Sequence, residues 1–152
     1  MMIRNKIDRI LSRLLMGIMS LMVLNVLWQV FSRYILGAPS SFTDELSRYL
    51  MIWLGILGAA YVSGQNAHVA IDFLPKKLNT KKQRKLRRLV TVIVMSFAFF
   101  ALVIGGFRLV YLTFILEQYS PALKLPLALV YLVMPLSGML IMYYKISDIL
   151  TK

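Results

Sequence analysis

The chain has no cysteine, one histidine and only six acidic residues in 152. Each scarcity removes a class of chemistry. Without cysteine there is no disulfide, no thiolate metal site and no quinone-linked thiol chemistry. The single His68 cannot supply the paired axial ligands of a membrane b-type haem. No two carboxylates share an apolar run, and Asp72 and Glu117 fall on expected opposite sides of a membrane. A glycine-rich phosphate loop is also missing. The sequence thus predicts no catalytic centre and no cofactor or metal on this chain, which is not expected to be an enzyme. A proton-coupled exporter would need an ionisable group in mid-membrane. The deepest polar residues here, Asn25 and Gln29, cannot carry a proton.

What the chain has in abundance is apolar surface. Hydrophobic residues make up 59% of it, against about 45–50% in ordinary soluble domains, and the mean hydropathy is +0.72. Four runs, 14–34, 49–71, 89–116 and 125–144, are each long enough to cross a bilayer core, which takes about 20 apolar residues. The expected fold is all-α and integral to the membrane, one four-helix domain over 1–152. Residues 1–13 set Arg4, Lys6, Arg9 and Arg13 against Ile3, Ile7, Ile10 and Leu11 at helical spacing. They read as a short amphipathic lead-in lying on cytoplasmic headgroups. The uncharged stretch after it exceeds the 7–15 residues of a signal-peptide core, and no small-x-small cleavage site follows directly. An uncleaved first membrane helix is expected, ending at Gly37-Ala38-Pro39. Pro126 suits a helix N-terminus, and Pro135 predicts a kink.

The net charge of +12 is not a nucleic-acid signature, because the basic residues sit at the ends of apolar runs. Fourteen of the eighteen lie in the N-terminal tip, the 76–88 segment and the tail; Arg33, Arg48, Arg108 and Lys124 remain for the other side. The positive-inside rule then places both termini in the cytoplasm. Lys81, Lys82, Arg84, Lys85, Arg87 and Arg88 are expected to rest on anionic lipid, and Arg108 to snorkel to the outer interface.

Several faces stand out. Asn25, Gln29 and Arg33 recur at every fourth residue, with Ser32 nearby, which suits either helix–helix bonding or a substrate-lining face. Ser41 or Thr43 can cap the second helix, with Asp44 and Glu45 in its first turn. Arg48 can pair locally with Asp44 or Glu45, or reach a partner protein. Gly55, Ala59 and Ser63 form a small-residue face that a partner helix could approach closely. Ala101 and Gly105 repeat that spacing. Glu117 and Lys124 flank a short outer loop containing a Ser-Pro turn.

The motifs Phe31-Ser32-Arg33-Tyr34, Phe42-Thr43-Asp44-Glu45-Leu46-Ser47-Arg48-Tyr49-Leu50, Trp53-Leu54, Gly58-Ala59-Ala60 and His68-Val69-Ala70-Ile71-Asp72 occur in that order. Tyr119-Ser120-Pro121-Ala122, Leu125-Pro126, Tyr131 and Pro135 follow. In these motifs the chain resembles the small membrane subunit, DctQ type, of tripartite ATP-independent periplasmic (TRAP) transporters. The resemblance implies a multi-pass protein of the bacterial inner membrane that is a separate polypeptide. It also implies a large multi-helix partner of the DctM type, carrying sodium and substrate. A periplasmic binding protein would deliver an organic anion such as a sialic acid or a C4-dicarboxylate. On this reading Asn25, Gln29, Arg33, Glu45, Arg48, Gly55, Ala59 and Ser63 face the large subunit, while Glu117 and Lys124 meet the binding protein. Two alternatives stay open: a self-sufficient homo-oligomeric transporter, and a membrane anchor for a redox complex.

Overall fold

The computed structural model describes residues 2–38, 40–65 and 80–150. Helices α1 (Met2–Tyr34) and α2 (Ser41–Gly64) come first. The third span is continuous: α3 (Thr80–Phe97), a π-helical segment (Ala98–Gly105) and α4 (Gly106–Ile115). The fourth consists of α5 (Leu127–Tyr131) and α6 (Val133–Leu150). Four stretches are long and apolar enough to cross a membrane: Arg4–Tyr34, Ser41–Gly64, Arg88–Ile115 and Leu127–Ile149. Among the described residues there is no strand, only an isolated bridge between Tyr119 and Pro126. The all-α, four-span architecture follows from the apolar runs, but the helix ends differ from theirs: α2 closes at Gly64, seven residues short of 71, while other ends overrun. Thus α1 starts twelve residues before 14, α2 eight before 49, and α6 ends six beyond 144.

The early start of α1 changes what the lead-in is. Residues 2–13 are its first three turns, continuous with the span. At 1.5 Å per residue the helix is about 50 Å long, well beyond a hydrocarbon core of about 30 Å. It stops where Gly37 takes a φ of 64°, a left-handed conformation that glycine adopts without a Cβ clash. The fourth span is interrupted at Leu132, as Pro135 requires. Proline offers no N–H to the Tyr131 carbonyl, and the neighbouring bond from Leu136 N to Leu132 O is stretched to 3.4 Å. The Trp53 indole N–H donates to the Val130 carbonyl beside this break at 3.1 Å.

The helices pack as a row. The first lies on the second, the second on the fourth, and the fourth on the third. The fourth span is therefore the most enclosed. One core joins Leu11, Leu57 and Val133; another joins Ala60, Ala98 and Ile141, and Leu140 packs against both. Lipid tails are as apolar as leucine, so exposed Leu, Ile and Phe cost nothing here and tight packing must hold the helices together. Three glycines permit it. A Cβ on Gly106 would lie 2.9 Å from Pro135 Cδ and 3.0 Å from its nitrogen. On Gly138 it would meet Val103 at 2.8 Å and Leu102 at 2.9 Å, and on Gly64 the Tyr144 ring at 2.7 Å. The π-helical segment thus packs on the fourth span through Leu102 and Val103 at Gly138, and Gly106 just beyond it meets Pro135.

Candidate functional site

Polar side chains gather at the two ends of the row. At the end carrying both termini, Arg4 is the centre. Its Nη1 forms an ion pair with Asp148 Oδ1 at 2.6 Å, and its Nη2 donates to the Gly64 carbonyl. The same guanidinium lies 5.7 Å from the centroid of the Tyr144 ring. The Tyr144 hydroxyl donates to Asp8 Oδ1 at 2.5 Å. Buried Lys145 donates to the Ser63 carbonyl at 3.3 Å. Two cations therefore cover the last carbonyls of α2, where the helix dipole is negative and the carbonyls lack intrahelical donors. This cluster ties α1, α2 and α6 together. Sequence reasoning missed it. The available signal was that Asp8 and Asp148, two of only six acids, stand in terminal segments that are otherwise basic.

At the opposite end, the face of α1 predicted from its spacing meets α2. Asn25 Nδ2 donates to the Thr43 carbonyl at 2.8 Å and to Ser47 Oγ at 2.7 Å, and Gln29 Nε2 donates to Asp44 Oδ1. Ser32 Oγ donates to the Ala38 carbonyl at 2.5 Å. Asn25 is buried, so this face bonds helix to helix within the chain. Arg33, at the end of the same series, is exposed.

Glu45 organises the far loop. Its Oε2 accepts from Ser120 Oγ and from the backbone N–H groups of Ala122 and Leu123, both at 3.1 Å. The loop 116–126 is itself tightly bonded, with Ser120 N donating to Leu125 O and Leu127 N to Gln118 O, each at 2.9 Å. Its two shoulders, Glu117 (φ 46°) and Lys124 (φ 52°), are exposed and left-handed. A non-glycine residue rarely adopts that conformation unless its surroundings hold it there.

Two sequence expectations at this end need correction. Arg48 makes no contact-distance ion pair with Asp44 or Glu45 among the described residues, although its charge lies near enough to act on Glu45. Gln29 takes Asp44, three donors converge on Glu45, and an exposed pair at this spacing contributes too little to compete. Nor does Ser41 or Thr43 cap α2 from its side chain. The capping position is Ser40, without a side-chain bond, and Thr43 Oγ1 donates to the Ser40 carbonyl at 2.8 Å.

The small-residue face divides. Gly55 and Ala59 are exposed, and a Cβ on Gly55 would meet nothing within 4 Å. Ser63 lies about 80° further round the helix and is buried beside Lys145. Arg108 is exposed on the third span. Lys85 and Arg88 are exposed; Lys81, Lys82, Arg84 and Arg87 lie on α3, their side chains outside the described set. His68 and Asp72 also lie outside the described residues. Among the described residues no three His, Asp or Glu side chains cluster as metal ligands would.

Comparison with known proteins adds the family. The profile for tripartite ATP-independent periplasmic transporters, DctQ component, matches residues 22–152. The chain belongs to the DctQ family. It is 30% identical over 145 residues to a Haemophilus influenzae chain named among the TRAP transporter small permeases, covering 95% of this chain and 88% of that one. It is 32% identical over 112 residues to the C4-dicarboxylate TRAP transporter small permease of Rhodobacter capsulatus, covering 70% and 47%. Identity to the sialic acid TRAP transporter small permease of Vibrio cholerae is 29% over 85 residues, covering 56% and 49%. The chain thus spans about half the length of the latter two relatives. This DctQ protein is a multi-pass membrane component of a transporter and not an enzyme.

Proposed function

We propose that this DctQ chain is the small subunit of a sodium-coupled TRAP transporter that imports an organic anion, of sialic acid or C4-dicarboxylate type, across the bacterial inner membrane. It holds a large DctM-type subunit in place and contributes to the surface on which a periplasmic binding protein docks. Sodium and substrate belong to the large subunit. The observation that carries the reading is a division of labour among side chains. Asn25, Gln29, Asp44 and Glu45 are engaged within the chain, while Gly55 and Ala59 face outward with room for a neighbour. Such a chain presents a surface to be packed against. The excess of basic residues towards the termini supports a cytoplasmic location for that end. Glu117 and Lys124, on the hydrogen-bonded far loop, are then the docking candidates.

Co-purification tests this. Gly55→Leu is expected to leave the isolated chain folded and to reduce recovery of the large subunit. Full recovery and normal uptake would remove this face from the interface. Self-assembly without a large partner would favour the homo-oligomeric alternative, and a coloured cofactor the redox anchor.

A further inference from the structure

The outer side of α1 is used by neither polar cluster. Lys6, Arg9, Arg13, Gly17, Ser20 and Leu24 follow one another at intervals of three and four residues, so they share one face. All six are exposed. The opposite face carries Arg4, Asp8 and Leu11 into the bundle. No acid lies on the outer ridge, and among the described residues Lys6, Arg9 and Arg13 make no ion pair.

The ridge changes character at one level. Charge ends at Arg13, and the helix is uncharged from Leu14 to Ser32. With a rise of 1.5 Å per residue, Arg9 stands about 6 Å above Arg13. That matches a headgroup layer about 5–8 Å deep on each side of the hydrocarbon. Side chains four apart on a helix are neighbours, so both guanidinium groups can reach one phosphate and bind it through paired N–H donors. Below them the surface drops. A Cβ on Gly17 would meet nothing within 4 Å, and Ser20 Oγ turns back to its own helix, donating to Met16 O at 2.9 Å. Leu24 beyond is 64% exposed. A cationic head followed by a shallow apolar track is the complement of an amphiphile with a negative head.

We propose that the outer ridge of α1 binds one anionic phospholipid, its phosphate between Arg9 and Arg13 with Lys6 above, and an acyl chain along Gly17 and Ser20. The proposal is independent of which substrate the transporter carries. It also differs from a diffuse basic surface in requiring one defined lipid.

Native mass spectrometry of the detergent-purified complex, titrated with phosphatidylglycerol or zwitterionic phosphatidylethanolamine, tests it. The unaltered protein should retain one phosphatidylglycerol in preference to phosphatidylethanolamine, and millimolar inorganic phosphate should not displace it. Arg9→Gln/Arg13→Gln should weaken retention by about tenfold or more, because each basic side chain at a lipid surface contributes about fivefold. Lys124→Gln, at the far loop, should not. A circular-dichroism melt shows whether the double variant is folded; if it is not, Arg9→Lys/Arg13→Lys, which keeps charge but loses the paired donors, should still weaken retention. Equal retention of both lipids by the unaltered protein, or undiminished phosphatidylglycerol on the folded double variant, would overturn the proposal. Loss of the large subunit with lipid retention intact would make the ridge a protein contact instead.

Discussion

Gly106→Ala is a sharp test of how the row of helices is held together. The added methyl would lie 2.9 Å from Pro135 Cδ, and 3.0 Å from both Met134 Cβ and Pro135 N. None of these atoms is the end of a flexible side chain. Two belong to the proline ring, and the third is anchored directly to the backbone. Overpacking of this kind costs about 1–3 kcal/mol, while alanine's better helix propensity returns up to about 1 kcal/mol. With the full return counted, the balance is a loss of up to about 2 kcal/mol, or up to about 8 °C in the melting temperature of a chain this size, and the gap to a variant with the same propensity gain and no clash is the whole overpacking cost. Gly55→Ala is the matched control. It has the same propensity gain and no atom within 4 Å of its new Cβ, so its melting temperature should stay level or rise slightly. Thermal unfolding of the two purified variants in one detergent, followed by the fluorescence of Trp28 and Trp53, measures both. If Gly106→Ala melted as high as Gly55→Ala, the third and fourth spans would not be in the contact described.

Three other outcomes follow from named contacts. Glu45→Gln removes the carboxylate on which Ser120 Oγ and two backbone N–H groups converge; amide exchange at Ala122 and Leu123 should quicken while that of α1 stays unchanged. Lys124→Gly relieves a left-handed φ of 52°, which costs a non-glycine residue about 1–2 kcal/mol, so it should raise the melting temperature while lowering uptake at limiting binding protein. Unchanged uptake would take Lys124 out of the docking surface. Single cysteines at 82 and 122, in a chain that has none of its own, should label from the cytoplasmic and periplasmic sides respectively, and the reverse pattern would invert the orientation.

The parts legible in the sequence are those written in local periodicity. The four spans follow from apolar length, and the Asn25–Gln29 face from a repeat that puts both residues on one side of α1. The interruption near Pro135 follows from a missing N–H. Long-range pairings were not legible, because no local pattern encodes them. Glu45 meets residues 75 to 78 positions away, and Arg4 meets Asp148 across nearly the whole chain. Nor does spacing reveal which glycines pack within the chain, since the face it picks out, at Gly55 and Ala59, reads as one for a partner helix. Gly55 and Ala59 repeat as a close-contact motif should, and they face outward. The tight contacts fall at Gly64, Gly106 and Gly138, each opposite a bulky residue. A small residue needs a large one facing it, and the facing residue lies elsewhere in sequence.

The two polar ends hold the helices of the row in register. In lipid an apolar side chain gains almost nothing by exchanging a lipid tail for a protein neighbour, so apolar matching alone would leave the row free to slide. Hydrogen bonds at both ends, and the Arg4–Asp148 ion pair at one, restrict that freedom. Arg4, Asp8, Tyr144, Lys145 and Asp148 fix the first, second and fourth helices at one end. Asn25, Gln29 and Glu45 fix the first and second helices and the far loop at the other. The glycine contacts with Pro135 and Leu102 then set the spacing of the third and fourth spans. With its geometry fixed from both ends, the middle of the row needs no further polar contacts, and its outward faces are free to be shaped for a neighbour.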